Sequence, residues 1–310
     1  MNNMDFYVYT FYKFVKISDK EDIKRKLDKY FKNKLIRGTF LIANEGINCS
    51  ISATQKDLSD IVEYLKKILE LKNFDIKKNA TNFLPFNRIK VRLKKEIVSL
   101  GVNKLSMKSD KDNMIDPSEW DEIIKNKKVK LLDTRNIFEI DIGKFKDSIN
   151  PETKSFREFP KKFDKLNISK NAHIAMYCTG GIRCEKASSY LKKVGYKNVF
   201  QLKGGILNYL NYKNEKKLSS LWKGECFVFD NRVTLNKKLQ RGKYIQCFGC
   251  RRPITKVEAH SKLYIKGVCC PYCFSERTNK QKNNSKIRQI QIDKANSKMQ
   301  SHTFMKIKNN

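Results

Sequence analysis

Histidine is scarce in this chain, with three in 310 residues, and no pair of them joins a carboxylate in the pattern that holds a non-haem iron. No flavin or haem motif is present either. A run of about 18 apolar residues is also missing, which excludes a membrane-spanning helix. The opening residues, Met1-Asn2-Asn3-Met4-Asp5-Phe6, lack the basic and then apolar order of a secretory leader. Acidic residues are the last shortage: 32 Asp and Glu face 66 Lys and Arg, a formal net charge of +34. Part of this surplus is compositional, because Lys, Asn and Ile are abundant together throughout. The remaining field attracts polyanions and speeds their association. RNA is therefore the expected partner class, ahead of an anionic membrane surface.

The nine cysteines are grouped rather than scattered. Four form two C-x-x-C pairs and two flank a glycine loop, a distribution that suits metal binding and thiol chemistry in a reducing compartment. The expected location is the cytosol.

Hydropathy and turn signals divide the chain into five stretches. Residues 1–100 alternate strand and helix: Phe6–Tyr12 as a strand, Asp22–Phe31 as a helix, Gly38–Ala43 and Cys49–Ser52 as a hairpin around Asn44–Asn48. A second helix over Lys56–Leu69 and a last strand over Arg88–Leu93 complete a βαββαβ order, that of a ferredoxin-like sandwich. Residues 101–124 form a connector ending in the helix-start signal Asp116-Pro117-Ser118-Glu119. Residues 125–220 place strands at Val129–Asp133, His173–Tyr177 and Val199–Leu202 around helical segments, which predicts a doubly wound parallel sheet with its site at the carboxyl ends of the strands. Residues 221–274 are short-stranded and cysteine-paired. Residues 275–310 hold nine Lys or Arg against two acids and are expected to be a disordered basic tail, or one that folds on RNA.

Cys178 falls at one such strand end. In Cys178-Thr179-Gly180-Gly181-Ile182-Arg183-Cys184, small residues let the backbone curl around the sulfur, and a helix begins just beyond. Inward N–H groups and the helix N-terminus favour an anion at the centre, and Arg183 adds a fixed cation. The same field depresses the thiol pKa and makes a nucleophile. Thr179, Gly180, Gly181 and Ile182 contribute mainly backbone. Cys184 either resolves an oxidised Cys178 as a disulfide or packs under the loop. Glu185 and Lys186 read as a solvated helix start. Cys247-x-x-Cys250 and Cys270-x-x-Cys273, with 19 residues between the pairs, match the four-thiolate spacing of a zinc ribbon holding a structural zinc. Cys269 is a competing neighbour, set aside because Cys270 completes the pair. Glu45 and Asn48 lie in a tight turn, where reaching toward the Cys178 pocket and ordinary turn chemistry weigh about equally.

Cys178 to Arg183 resembles the six-residue active loop of rhodanese domains, and Leu132-Asp133-Thr134-Arg135 resembles their Asp-x-Arg segment. The latter assigns Asp133 and Arg135 a supporting ion pair. Longer strings resemble the rhodanese-domain tRNA wobble-uridine hydroxylases: Tyr177 to Ser188, Gln201 to Leu207, Gly224 to Arg232, Ala43 to Asn48, Gly143 to Phe145, and Phe156 to Pro160. One departure is Cys49, where the family usually has glycine. The resemblance covers roughly residues 5 to 275. It implies oxygen-dependent conversion of wobble uridine (position 34) of tRNA to 5-hydroxyuridine, with molecular oxygen as cosubstrate and Cys178 as the essential thiol. The enzyme class so implied is an oxygen-incorporating oxidoreductase. The loop alone is equally compatible with a sulfurtransferase carrying a persulfide on Cys178, and the charge and cysteine pairs with a non-enzymatic RNA binder.

Overall fold

A computed structural model describes residues 6–103, 105–107 and 113–297. The first part of the chain runs β1 (Phe6–Phe14), α1 (Lys20–Phe31), β2 (Arg37–Ala43), β3 (Gly46–Thr54), α2 (Gln55–Ile68), β4 (Lys77–Thr81) and β5 (Ile89–Leu93). These strands form one sheet in the order β4-β1-β3-β2-β5, antiparallel through its first four members. This is the ferredoxin-like sandwich. Side chains alternate along β1, so Tyr9 and Phe11 enter the core with Leu27 of α1 and Leu58 of α2, while Val8, Thr10 and Tyr12 occupy the opposite face. Cys49 is a core residue, set in register between Phe11 and Phe40.

The strand expected to close the sandwich is present as β5, but it adds in parallel to the outer edge of β2. Lys77–Thr81 takes the closing place beside β1. Its sequence, Lys-Lys-Asn-Ala-Thr, lacks apolar alternation because it lies at the sheet edge with half its side chains outward, and so it carries no strand signal.

The second part contains β6 (Met114–Ile115), α3 (Trp120–Lys125), β7 (Val129–Asp133), α4 (Ile137–Ile140), β8 (Gly143–Phe145), α5 (Phe159–Asp164), β9 (His173–Tyr177), α6 (Ile182–Lys193), β10 (Val199–Leu202) and α7 (Gly205–Glu215). Its sheet, β6-β10-β9-β7, is parallel throughout. Both faces are covered, as a parallel sheet requires. Ile174 and Met176 of β9 pack with Phe159 of α5 and Leu191 of α6, whereas Ala175 and Tyr177 pack with Trp120, Tyr209 and Trp222. The alternation turns Cys178, next in line, toward the α6 side.

Beyond α7, β11 (Trp222–Gly224) pairs with β8, β12 (Cys226–Phe227) with β13 (Thr234–Leu235), and β14 (Ile245–Gln246) with β15 (Pro253–Ile254). The stretch from 275, expected to lack order, instead carries a helix, α8 (Asn279–Ser297). Arg277 donates to the Gly249 carbonyl and, at 2.8 Å, to Ser285 Oγ. Arg288 donates to the carbonyls of Phe248 and Gly267. These arginine contacts seat α8 on the cysteine-paired segment without an apolar stripe, which is why hydropathy gave no sign of it. Residues 298–310 of the tail lie outside the described residues.

Candidate active site

Cys178 leaves the carboxyl end of β9 fully buried. Gly181 adopts φ +99° and turns its N–H onto Cys178 Sγ at 3.1 Å. The head of α7 braces the loop from below: the Ile206 and Leu207 N–H groups donate to the carbonyls of Cys178 and Thr179 at 2.9 and 3.1 Å. Gly205 permits that approach, since a Cβ there would lie 2.4 Å from the Cys178 oxygen. Gly180 borders open space, with nothing within 4 Å of where a Cβ would project. Burial works against a thiolate at Cys178. A hydrogen bond from the Cys184 thiol, the Arg183 charge, and the N–H groups of Cys184 and Gly181 outweigh it, holding Cys178 down at about 5. Burial and the adjoining Cys178 charge push the Cys184 thiol up, so the proton of the pair stays on Cys184, which also meets Thr134 Oγ1 at 3.5 Å.

Arg183 is fixed by a residue that sequence reasoning missed. Its guanidinium forms a two-pronged pair with buried Glu139, at 2.6 and 2.8 Å, and donates to Thr179 Oγ1 at 3.3 Å. Glu139 in turn caps α4, accepting the Asn136 N–H at 3.1 Å. Burial alone raises the Glu139 carboxyl, but Arg183 holds it below its ordinary range. The spacing Asn136-x-x-Glu139 is a capping box, the only signal available, and it points to a helix start rather than to Cys178. Asp133 and Arg135 form a buried ion pair at 2.6 Å, and Arg135 also holds the carbonyls of Glu139 and Gly143 at 3.1 and 2.7 Å. Both arginines thus converge on Glu139, one at its carboxylate and one at its backbone.

The first domain supplies the other side of the site. Tyr12 donates to Glu185 Oε1 at 2.7 Å, and its hydroxyl stands 2.8 Å from where a Gly181 Cβ would project. Glu185 and Lys186, expected to be solvated, are not. Burial raises the Glu185 carboxyl above its ordinary range, with Tyr12, Lys77 and Lys13 working against it. Lys186 is buried and reaches Glu45 at 2.8 Å, Glu96 at 2.5 Å and the Val98 carbonyl at 2.9 Å. Glu45 also accepts the Ile97 N–H at 2.7 Å, and Asn48 donates to the Ile97 carbonyl at 3.0 Å. Glu45 therefore ties the first domain to α6 directly while Glu45 and Asn48 together hold the chain at Ile97, and among the described residues neither has a hydrogen bond to Cys178. A domain docked on the helix leaves a lysine no solvent-facing side, which the local sequence cannot reveal.

Away from the loop, Cys247, Cys250, Cys270 and Cys273 bring their sulfurs within 4.8 Å of one another. The individual separations include 3.9 Å for Cys247–Cys273 and 3.8 Å for Cys250–Cys270 and Cys270–Cys273. Four thiolates at about 2.3 Å around a tetrahedral zinc lie about 3.8 Å apart, so the donor set fits a closed metal site. Cys269 turns its sulfur toward the Leu263 carbonyl at 3.7 Å instead.

A thiolate cradled at the end of a parallel strand, with its arginine locked by a buried carboxylate, defines a rhodanese-type thiol site. The rhodanese-like domain model matches residues 116–212, and the UPF0176 acylphosphatase like domain matches residues 6–97. Among solved structures, a rhodanese-related protein from Thermoplasma volcanium is 26% identical, aligned over 32% of this chain and 92% of that one with a TM-score of 0.28. A human single domain sulfurtransferase is 17% identical over 32% of this chain and 96% of its own, with a TM-score of 0.27. The likeness that carries weight spans the whole chain: the tRNA uridine(34) hydroxylase of Pelagibacter ubique (strain HTCC1062) is 48% identical over 302 residues, 97% of this chain and 99% of that protein. The chain belongs to the tRNA uridine(34) hydroxylase family.

Proposed function

We propose that this chain hydroxylates uridine at position 34 of tRNA to 5-hydroxyuridine, in the cytoplasm, with molecular oxygen as cosubstrate and Cys178 as its catalytic residue. The observation that carries the reading is the Cys178 sulfur, set 3.1 Å from the Gly181 N–H beside an Arg183 locked by Glu139, in a chain that matches a hydroxylase of this name over 97% of its length. Among the described residues no helix is long and apolar enough to cross a membrane, and the charge of +34 suits a polyanionic substrate.

The thiolate adds to C6 of the uracil and raises electron density at C5, where oxygen reacts. One oxygen atom stays on C5 as the hydroxyl. The other leaves as water, taking two electrons and two protons from an external two-electron donor. The C5 proton departs as the C6–S bond breaks, which returns the thiolate. Arg183 and the Gly181 N–H hold the sulfur anionic at the start and end of this cycle. The four clustered thiols would hold a structural zinc that ties α8 and the short strands together, with no part in the oxygen chemistry.

Nucleoside mass spectrometry on tRNA from cells with the protein, without it, and with Cys178→Ala tests the proposal. Loss of 5-hydroxyuridine and its derivatives in both deficient strains is the expected result. Intact hydroxyuridine alongside a missing thiolated nucleoside would replace it with persulfide transfer from Cys178.

A further inference from the structure

A cleft of ≈240 Å³ lies where the three parts of the chain meet, and no step above uses it. One wall is the β1–β4 face turned away from the first core, with Thr10, Lys77 and Asn79; the opposite wall is α7, with Leu207 and Asn211; Leu235 closes the far side. Its inner end adjoins the reactive loop. Leu207 donates its N–H to the Thr179 carbonyl at 3.1 Å, and Tyr12, two residues along β1 from Thr10, stands over Gly181.

The walls are set in advance. Asn79 donates to the Leu239 carbonyl at 3.1 Å and accepts from Arg232. Arg232 is buried and paired with Asp230 at 2.6 Å. Lys77 is anchored on Asp75 at 2.7 Å and lies 5.2 Å from the centre of the Tyr12 ring. Sites that bind small planar groups are of this kind, concave and partly apolar at a domain junction with a few placed polar groups.

We infer that this cleft seats the base of a nucleotide adjoining the uridine that reacts at Cys178, an inference that rests on the tRNA reading above. The volume has the scale of one base, not of a duplex. Leu207 offers apolar contact for a ring face; the Asn211 amide, which donates to Glu215 at 2.7 Å, keeps its oxygen for the base edge, and Thr10 Oγ1 is shared with Ser50 at 2.9 Å. Single-stranded RNA is read in this way, with bases splayed onto apolar surfaces and hydrogen-bonded at their edges. Lys77 and Arg232 are already paired with Asp75 and Asp230, and Lys78 shares the cleft with Glu215, so attraction for a ligand strung on phosphates comes from the net charge of +34 of the whole chain. A uridine that enters the loop must leave its stack, and its neighbour then falls at the cleft mouth.

The test uses the full-length protein and an anticodon stem-loop RNA carrying the photo-crosslinker 4-thiouridine at either nucleotide flanking position 34. Crosslinked peptides are mapped, and 5-hydroxyuridine formation is followed in the unsubstituted stem-loop. Asn211→Trp fills the cleft from a half-exposed position, and Asn211→Ala removes the amide without adding bulk. Wild-type crosslinks are expected in α7 or β4. Asn211→Trp should weaken them and raise KM about tenfold or more with kcat nearly unchanged, the scale of one lost base contact, with Asn211→Ala in between. Crosslinks confined to other regions, or unchanged KM and crosslinks in Asn211→Trp, overturn the inference while hydroxylation stands. Cleft crosslinks without any 5-hydroxyuridine would strike the hydroxylase reading and leave the cleft as an RNA subsite; absence of both overturns both.

Discussion

Two groups of cysteine in this chain, buried except for half-buried Cys250, draw hydrogen bonds from backbone N–H groups and differ in what surrounds them. At Cys178 one sulfur faces an arginine and a glycine N–H, and the neighbouring thiol, Cys184, keeps its proton. At the C-terminal cluster four sulfurs converge on one point, so that none is left to act alone once a cation is shared among them. Burial is common to both. In the proposed reading, the number of converging sulfurs, and whether the compensating charge is a fixed guanidinium or an exchangeable ion, separates a reactive thiol from a structural one.

Breaking the reactive side has the largest expected effect. Cys178→Ser should lower 5-hydroxyuridine formation by about a thousandfold or more, the scale on which loss of a nucleophile acts, with thermal unfolding little changed. The structural side should answer in reverse. Cys270→Ser, or a strong chelator, is expected to release about one bound metal per chain, measured by elemental mass spectrometry. It should expose the segment around α8 to protease while the alkylation rate of Cys178 stays as it was. A chelator that silenced Cys178 alkylation would erase the distinction between the two sites.

The carboxylate behind the arginine sharpens the comparison further. Glu139→Ala leaves the Arg183 guanidinium buried without its partner and should cost about 3 to 5 kcal/mol of stability, read as a shift in urea midpoint. A milder change isolates the charge. Cys178 alkylation by iodoacetamide should rise as pH passes through about 5 and level off above it, because the thiolate is the reacting form. Arg183→Gln removes a cation that favours the anion, so the midpoint must move upward; a midpoint that stayed near 5 would assign the depressed pKa to the backbone and Cys184 alone.

Much of this site was legible along the chain because its parts are contiguous. Cys178 to Cys184 occupy one strand, one loop and one helix start, and local rules cover all three. What sequence reasoning missed came from elsewhere. Glu139 lies 44 residues before its partner Arg183 and announced itself only as a helix cap. Lys186 and Glu185 had the look of a solvated first turn, and only the docking of the first domain buries them. In the fold, the same limit hid β4 and α8. One is a polar edge strand ordered by its neighbour β1, and the other is a basic helix ordered by arginine-to-carbonyl contacts. Apolar periodicity, the strongest local signal, was absent from both.

The smallest expected effect concerns the residue that brings the first domain to the loop. Tyr12 lies on the β1 face opposite the aromatic core, where its ring meets Phe14 and Lys77 of its own domain while its hydroxyl points to the second. That hydroxyl meets Glu185 at 2.7 Å above Gly181, and burial with the neighbouring Glu185 pushes the phenol well above its ordinary range. It therefore stays protonated and donates. Tyr12→Phe keeps the ring and removes only that donor, at a cost of about 1 kcal/mol of stability. A role confined to docking predicts this loss with kcat and the alkylation profile of Cys178 unchanged. A role in positioning predicts in addition a fall in kcat of about tenfold or less at constant thiol midpoint, because the loop keeps its arginine but loses the contact that sets its outer face. The split between kcat and the thiol midpoint decides whether the first domain only docks on the helix after Cys178 or also shapes the loop around it.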